Sequence, residues 1–307
     1  MKKLIMPFLL LLALLLSACG NNSANNNAGG EANDQSNKEP ETITYESENG
    51  PVEVPADPQR VIVLSSFAGN VMALDVNLVG VDSWSKMNPR FEEKLEGVEE
   101  VTDESLEKII ELEPDLIIGL SNIKNVDKLN EIAPTVTFTY GNVDYLTQHV
   151  EIGKLLNKEE EAQTWVDDFK ARAKEAGEEI KAKIGEDTTV SVLENFNKQI
   201  YVYGNNWGRG TEILYQEMGL KMPEKVVESA LEPGYYAVSL EVLPEFAGDY
   251  VVLSKSPEQD NSFMETDTYK NIPAVKNNQV IEVNMLEFYF NDPLTLEYQL
   301  ETFKESF

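Results

Sequence analysis

The sequence predicts an α/β protein in which two Rossmann-like lobes are joined by one long, rigid helix. Residues 159–184 carry apolar side chains at helical three- and four-residue steps. On both sides of this segment, short apolar strand-like runs alternate with helical patterns. The chain has 307 residues, of which 42% are apolar, and these are enough for two hydrophobic cores.

The long helix is predicted from a single apolar stripe, and most residues between the stripe positions are charged or small. At about 1.5 Å per residue the helix would be roughly 39 Å long, which suits a strut between two lobes. The predicted interlobe segment is 158–185. Its apolar positions are Ala162, Trp165, Val166, Phe169, Ala173, Ala176, Ile180 and Ile184.

The beginning of the chain has the pattern of an exported lipoprotein. Two lysines precede an apolar run, Pro7 to Leu16, that is too short for a stable membrane-spanning helix. Leu16-Ser17-Ala18-Cys19 then matches a bacterial lipobox. We therefore expect a signal peptide over 1–18, lipidation of Cys19, and a position on the outer face of the cytoplasmic membrane.

Residues 19–40 are predicted to be the lipidated cysteine followed by a disordered tether. Asn, Gly and Ser dominate this segment and apolar residues are nearly absent. A flexible tether of this length has a mean reach of roughly 25 Å. The lipid would be the only connection of the folded protein to the membrane.

The first lobe is predicted over residues 41–157. A hairpin around Asn49-Gly50-Pro51 opens it, and a helix over 143–156 leads into the interlobe helix. Between them the apolar runs predict mostly parallel strands separated by helices. These runs are Arg60 to Leu64, Leu78 to Val81, Leu116 to Gly119 and Val136 to Tyr140.

The second lobe is predicted over residues 186–307 with the same strand–helix rhythm, closed by a helix from Pro293 to Lys304. Its apolar runs are Thr189 to Leu193, Ile200 to Tyr203, Tyr250 to Leu253 and Val280 to Val283.

One sequence pattern occurs in both lobes. Ser105-Leu106-Glu107 precedes Asp115, and Ser239-Leu240-Glu241 precedes Asp249, each Asp leading into a buried strand. Polar as well as apolar positions recur, which favours two related lobes.

Composition excludes several functions. The formal net charge of −29 argues against nucleic acid or an anionic membrane surface as a partner. One cysteine allows no intramolecular disulfide, and the single histidine, His149, leaves few options for an imidazole metal site. G-x-S-x-G, Walker A and H-E-x-x-H motifs are absent. We expect a binding protein, not an enzyme, with His149 in a structural role.

The segment from Tyr201 to Gly210, YVYGNNWGRG, is the strongest candidate site. It follows a predicted strand, and ligands of open α/β sheets bind outside the carboxyl ends of strands. Glycines permit sharp turns, Trp207, Tyr201 and Tyr203 offer flat amphipathic surfaces, and Arg209 can donate two hydrogen bonds to paired oxygens.

The first lobe offers further candidates at strand ends. Tyr140 lies in Tyr140-Gly141-Asn142, which follows a predicted strand. Trp84 and Arg90 lie in the loop after another strand, and scattered surface positions remain an alternative for these two.

The lipobox, the segment VPADPQRV at Val54–Val61, the two lobes and YVYGNNWGRG together resemble the iron-siderophore substrate-binding lipoproteins of ABC importers. Within that family the chain is most similar to the ferric hydroxamate binders. The resemblance implies a shallow ligand cleft between the lobes. Arg209 would donate to the hydroxamate oxygens around the iron, and Trp207, Tyr201 and Tyr140 would pack against the chelate.

The resemblance also implies aromatic surface from the late loop, supplied by Phe288, Tyr289 or Phe290. An exposed glutamate on each lobe would pair with arginines of the permease, and Glu107 and Glu241 occupy these places in the repeated pattern. The iron would be ligated by the siderophore, so no resident cofactor or protein metal ligand is expected, and we expect a monomer.

Several alternatives stay open at the level of sequence. The same fold could bind a catecholate siderophore, haem or cobalamin, and haem would need an axial ligand such as Met285. An enzyme that processes chelates and a surface adhesin are alternatives from other classes. Ferric iron prefers about six oxygen donors, which a hydroxamate siderophore supplies by itself, whereas a tricatecholate complex should require a cluster of basic residues.

Overall fold

The computed structural model describes residues 41–256 and 258–307. The predictions for the signal peptide, Cys19 and the tether therefore lie outside the described residues. The chain opens with an antiparallel hairpin of β1 (Thr42–Ser47) and β2 (Gly50–Pro55), which confirms the hairpin prediction. Gly50 turns the chain with φ +106°. In the described part, no helix is both long and apolar enough to cross a membrane.

The first lobe is built on a five-stranded parallel sheet with strand order β5-β4-β3-β6-β7. Helices cover both faces, so alternate side chains of one strand enter different cores: Val61 and Val63 face one, Ile62 the other. β5 escaped prediction because its two glutamates are exposed and have no apolar pattern. The elements are β3 (Val61–Val63), α1 (Ala68–Ala73), β4 (Leu78–Val81), α2 (Ser83–Met87), a 3₁₀ turn (Pro89–Phe91), β5 (Glu99–Glu100), α3 (Leu106–Glu111), β6 (Leu116–Leu120), α4 (Val126–Asn130), β7 (Thr135–Phe138) and α5 (Tyr145–Leu155).

The long helix α6 (Glu159–Ile184) has the predicted bounds. Ala162 packs in the core of the first lobe, whereas the stripe from Val166 to Ile180 packs in the core of the second. A Cβ at Gly177 would overlap the main chain of Met218, so a glycine here allows close packing. The helix is thus fixed in both cores, as the strut prediction requires.

The second lobe is also built on five strands, in the order β10-β9-β8-β11-β12. Its elements are β8 (Val190–Phe196), β9 (Gln199–Tyr203), a π-helical segment (Glu212–Glu217), α7 (Glu224–Ala230), β10 (Tyr235–Val238), α8 (Leu243–Phe246), β11 (Tyr250–Lys255), a 3₁₀ turn (Ser262–Glu265), α9 (Asp267–Lys270), α10 (Pro273–Lys276), β12 (Val280–Asn284), α11 (Met285–Phe288) and α12 (Pro293–Ser306).

The expected parallel rhythm is wrong for β9, and β10 was not predicted. β8, β11 and β12 are parallel, but β9 runs antiparallel to β8, and β10 antiparallel to β9. Asn197 and Lys198 alone join β8 to β9, and a parallel pair needs a much longer crossover. Both residues have positive φ, +51° and +66°, as a two-residue hairpin turn demands.

The repeated sequence pattern has a structural counterpart in the two sheets. Asp115 accepts hydrogen bonds from the main-chain nitrogens of Gln59 and Arg60 (2.6 and 2.9 Å), directly before β3. Asp249 accepts from the main chain and hydroxyl of Thr189 (2.8 and 2.9 Å), directly before β8. Asp115 therefore connects the start of β6 to the start of β3, the central strand of the first sheet. Asp249 connects the start of β11 to the start of β8, the central strand of the second sheet.

A second connection between the lobes comes from α12. Asp292 caps this helix by accepting from Leu294 and Thr295, and a Cβ at Gly69 of α1 would overlap its carboxyl group. Burial raises the pKa of Asp292 to about 6. Leu294 packs on the first core and Leu296 in the second. The lobes are therefore held together by α12 as well as α6.

Candidate ligand-binding site

A cavity of about 300 Å³ is lined by residues of both lobes. Loops following the carboxyl ends of β3 and β4 form one side, and the end of β8 and the loop after α11 form the other, as expected for open α/β sheets. A larger depression beside Leu106 and Ile110 is lined by the first lobe alone. The 300 Å³ cavity is lined by Ser65, Ser66, Asp82, Trp84, Phe196, Arg209, Tyr289 and Phe290.

Arg209 is fixed in position by its neighbours in the second lobe. Its Nε and Nη2 donate to the carboxylate of Glu194 (3.1 and 2.9 Å), and its Nη1 donates to the carbonyl of Trp207 (2.9 Å). The guanidinium carbon lies 4.7 and 4.4 Å from the ring centres of Tyr203 and Tyr289. The guanidinium therefore reaches the cavity as an oriented donor.

Glu194 is a residue that the sequence interpretation missed. It lies in the middle of β8, is fully buried, and also accepts from Tyr203 Oη (3.1 Å) and Ser254 Oγ (2.6 Å). Burial by itself would lower the pKa of the Arg209 guanidinium, but the bonds to Glu194 raise it above its ordinary value. A glutamate inside an apolar strand was the available signal, because a buried carboxylate requires a partner.

The loop that carries Arg209 depends on two glycines. Gly208 and Gly210 have φ +67° and +81°. A Cβ at Gly208 would overlap the carbonyl of Tyr289, and one at Gly210 would lie 2.6 Å from the ring of Phe303. Arg209 itself has φ +59°, a conformation that non-glycine residues adopt at a cost and that clusters at functional sites.

A second buried carboxylate supports the same loop. Glu212 accepts from the main-chain nitrogen of Gly208 (2.9 Å) and from Asn291 Nδ2 (3.2 Å). Burial raises the pKa of Glu212. The sequence predicts that this loop follows a strand parallel to its neighbours. It follows β9 instead, which runs antiparallel to β8, and Arg209 is brought to the cavity by its contact with Glu194 of β8.

Four aromatic side chains form a contact cluster near Arg209, namely Trp207, Tyr140, Tyr235 and Tyr201. The ring centre of Trp207 lies 6.5 Å from that of Tyr140 and 5.2 Å from that of Tyr235, and Tyr235 is 5.8 Å from Tyr201. Tyr140 is 54% exposed and Trp207 38%, so both present area to solvent. The structure thus brings three predicted residues together and adds Tyr235, missed because β10 was not predicted.

Trp84, Tyr289 and Phe290 line the cavity itself, whereas the four aromatic side chains around Trp207 are not part of its lining. The rings of Trp84 and Tyr289 are 5.6 Å apart, and Phe290 packs on Phe91 at 5.7 Å. Trp84 therefore lines the cavity, and it is 50% exposed. Phe288 is fully buried in the second core, so of the three late aromatics only Tyr289 and Phe290 line the cavity.

Arg90 does not line this cavity. Its Nε and Nη2 contact the carboxylate of Glu287 at 2.5 Å, and its guanidinium carbon lies 3.8 Å from the ring centre of Tyr298. Arg90 belongs to the first lobe and both partners to the second. The structure therefore places it in an ion pair between the lobes.

The turn that carries Tyr140 is held by the opening hairpin. Both carboxylate oxygens of Glu48 accept from the main-chain nitrogen of Thr139 (3.2 and 3.1 Å), and one accepts from Asn142 Nδ2 (3.1 Å). Hydrogen bonds from Thr139 and Asn142 outweigh burial and lower the pKa of Glu48. No local sequence signal links residues this far apart.

The other predicted residues lie away from the cavity. His149 is buried, with Nδ1 3.1 Å from Asn70 Oδ1, and burial lowers its pKa to about 4. It packs against Trp165 at 5.3 Å, a structural position as predicted. Glu107 is exposed in the first turn of α3, and Glu241 is exposed before α8.

A family model described as "Periplasmic binding protein" matches residues 63–284. The Iron(3+)-hydroxamate-binding protein FhuD of Bacillus subtilis (strain 168) is 40% identical over 306 residues, covering 97% of this chain and 95% of that protein.

Two solved structures are similar throughout. A FhuD-fold protein of Bacillus subtilis, described as the binding component of a Fep/Fec-like ferrichrome ABC transporter, has TM-score 0.78 and 38% identity over 85% of this chain and 98% of that one. Staphylococcus aureus FhuD2 with bound ferrioxamine B has TM-score 0.77 and 34% identity over 81% and 98%. The chain therefore belongs to the periplasmic binding protein family.

Proposed function

We propose that this protein captures ferric hydroxamate siderophores outside the cytoplasmic membrane and delivers them to an ABC permease for iron uptake. The observation that carries the proposal is a single oriented guanidinium, that of Arg209, in a cavity lined by the aromatic side chains of Trp84, Tyr289 and Phe290. A hexadentate hydroxamate chelate completes the coordination of ferric iron by itself. The protein then needs apolar area for the chelate and a few donors for its oxygens.

The charge of the cavity favours hydroxamates over catecholates. Three hydroxamates balance ferric iron, whereas three catecholates leave three excess negative charges. The charged side chains lining the cavity are Asp82 and Arg209, and Glu194 offsets the charge of Arg209. A complex with three negative charges would therefore lose hydration free energy on entering the cavity, and the side chains there supply little positive charge to replace it.

Haem and cobalamin fit these residues less well. The cavity lining contains neither histidine nor methionine to serve as an axial ligand. His149 is buried against Asn70, and Met285 is 5% exposed. Relatives of similar length are described as binding ferric hydroxamates, which supports the same ligand class here.

Ligand binding is tested by titrating residues 20–307 with ferric ferrioxamine B, ferrichrome, a ferric catecholate and haem, following tryptophan fluorescence. We expect quenching by the hydroxamates, with affinity lost in Trp207→Ala and Arg209→Ala. Trp165→Phe is the matched control, because Trp165 packs in α6 and quenching should persist without it. A response to haem or catecholate alone would overturn the ligand class, and no response at all would favour the adhesin alternative.

Delivery to the permease is assigned to Glu107 and Glu241. Both are exposed and occupy equivalent places in the two lobes, so together they can dock on paired cations. The double variant Glu107→Lys/Glu241→Lys should abolish uptake and leave siderophore affinity unchanged. Loss of affinity, or normal uptake, would refute this role.

The anchoring part of the proposal concerns Cys19. A lipid on this residue would hold the protein, as a monomer, at the outer membrane face through the tether at 19–40. The folded part would consist of the first lobe at 41–157, the interlobe helix at 158–185 and the second lobe at 186–307. The wild type should be labelled by radioactive palmitate, and Cys19→Ala should not be. An unlabelled wild type, or equal labelling of both proteins, would contradict lipid anchoring at Cys19.

A further inference from the structure

Asp82 is the charged residue of the cavity that the proposed binding mode does not use. It is the N-cap of α2, is 8% exposed, and lines the cavity beside Trp84 and Arg209. Its carboxylate accepts from the main-chain nitrogen (3.1 Å) and the hydroxyl (2.8 Å) of Ser85. Two neutral donors orient this carboxylate but do not cancel its charge.

Among the described residues, no lysine or arginine forms an ion pair with Asp82. Arg209, which shares the cavity, pairs with Glu194. Lys86, one turn further along, donates instead to the carbonyl of Leu95 (3.0 Å). The cavity therefore presents one uncompensated negative charge among aromatic side chains, where charges interact more strongly than in water.

We propose that Asp82 makes the site selective for the charge carried at the periphery of the siderophore. It favours ferric hydroxamates with a cationic pendant group and disfavours those with an anionic one. This inference rests on the proposed ligand class and deepens it. A neutral iron centre can enter the aromatic cavity, and the sign of the pendant group then decides its interaction with Asp82.

The size of the effect follows from Coulomb's law. A pendant charge about 8 Å from a carboxylate, at an effective dielectric constant of about 40, changes the affinity roughly sixfold per unit charge. The overall negative charge of the protein acts in the same direction, but salt at about 0.15 M screens distant charges. Local and global contributions can therefore be separated.

The test uses one ferric trihydroxamate with three pendant groups. Ferrioxamine B carries an ammonium, its acetylated form is neutral, and its succinylated form carries a carboxylate. Affinities of the wild type should fall in that order, roughly sixfold per step. Asp82→Asn should remove most of this gradient while keeping the fold, because Asn is as good an N-cap as Asp.

Asp127→Asn is the matched control, since Asp127 is an exposed residue in the first turn of α4. This variant should keep the wild-type gradient. An unchanged gradient in Asp82→Asn, or equal affinities for all three complexes in the wild type, would overturn the inference. Failure of the wild type to bind any of the three would instead refute the proposed ligand class.

Discussion

The buried pair of Glu194 and Arg209 gives the sharpest prediction about how the site is built. Glu194 accepts four hydrogen bonds, two from Arg209 and one each from Tyr203 and Ser254. Glu194→Gln removes the negative charge but nearly preserves the volume. The guanidinium then stays in a site that is 15% exposed without its counter-charge. Breaking a buried pair from one side costs about 3–5 kcal/mol.

Urea unfolding followed by circular dichroism at pH 7 measures this cost. Because folded proteins are stable by only about 5–15 kcal/mol, the shift in midpoint should be large. The double variant Glu194→Gln/Arg209→Met should lose much less than the sum of the two single variants, since no unpaired charge remains. Glu282→Gln is the control: its ion pair with Lys255 is partly exposed, and its loss should cost less than about 1 kcal/mol.

The reasoning fails if Glu194→Gln unfolds within about 1 kcal/mol of the wild type. It also fails if the two single losses add without coupling in the double variant. Either result would mean that Arg209 is not positioned by Glu194.

Three further predictions follow from other contacts. Glu48→Ala should weaken hydroxamate binding a few-fold, the value of one or two hydrogen bonds, by releasing the turn of Tyr140. Glu48→Ala should cause no further loss of affinity when Tyr140 is already alanine, and the control Glu46→Ala should bind like the wild type. Equal losses from Glu48→Ala with and without Tyr140 would refute this role of Glu48. The His149 imidazole should titrate near pH 4 by NMR. Because its folded pKa lies below the ordinary 6.5, the contribution of His149 to stability should be complete above pH 6.5 and fall by about 3 kcal/mol towards pH 4, while Asp292, whose pKa is raised to about 6, changes stability in the opposite direction over the same range. The NMR titration therefore tests His149 by itself, and a normal imidazole titration would contradict its burial. Gly177→Ala should cost about 1–3 kcal/mol in thermal or urea unfolding, because its Cβ overlaps neighbouring main chain, and a neutral result would show that α6 can shift.

The Glu48 contact also bears on how the two lobes meet at Tyr140 and Trp207. Tyr140 comes from the first lobe and Trp207 from the second, and their rings are in edge contact. The connections through α6, α12 and the Arg90–Glu287 ion pair all cross the same junction. Such a multiply tied junction favours small relative movements of the lobes on binding over a wide hinge motion.

Local patterns determined much of the architecture. The stripe of α6 predicted its bounds at 159 and 184, because helical periodicity over a long segment is a strong signal. Apolar runs located most central strands, since parallel strands buried on both faces are continuously apolar. The segment YVYGNNWGRG drew attention to Trp207 and Arg209 through residue types alone. Arg209 lines the cavity, and Trp207 packs against Tyr140 of the first lobe.

What the tertiary structure alone decided is how these residues are supported. Glu194, Glu48 and Tyr235 act through neighbours that lie far away in the chain or on a strand without apolar periodicity. The reversal of β9 depends on a two-residue turn in which both residues have positive φ. The apolar pattern of β9 itself resembles that of a parallel strand, so it gave no sign of the reversal. Arg90 was predicted to bind ligand because of its position in a loop after a strand. In the structure its guanidinium instead pairs with the carboxylate of Glu287 from the second lobe, a partner that only folding brings close. Periodicity records which face of an element is buried, whereas the partner of a buried charge is chosen by the packing of the whole chain.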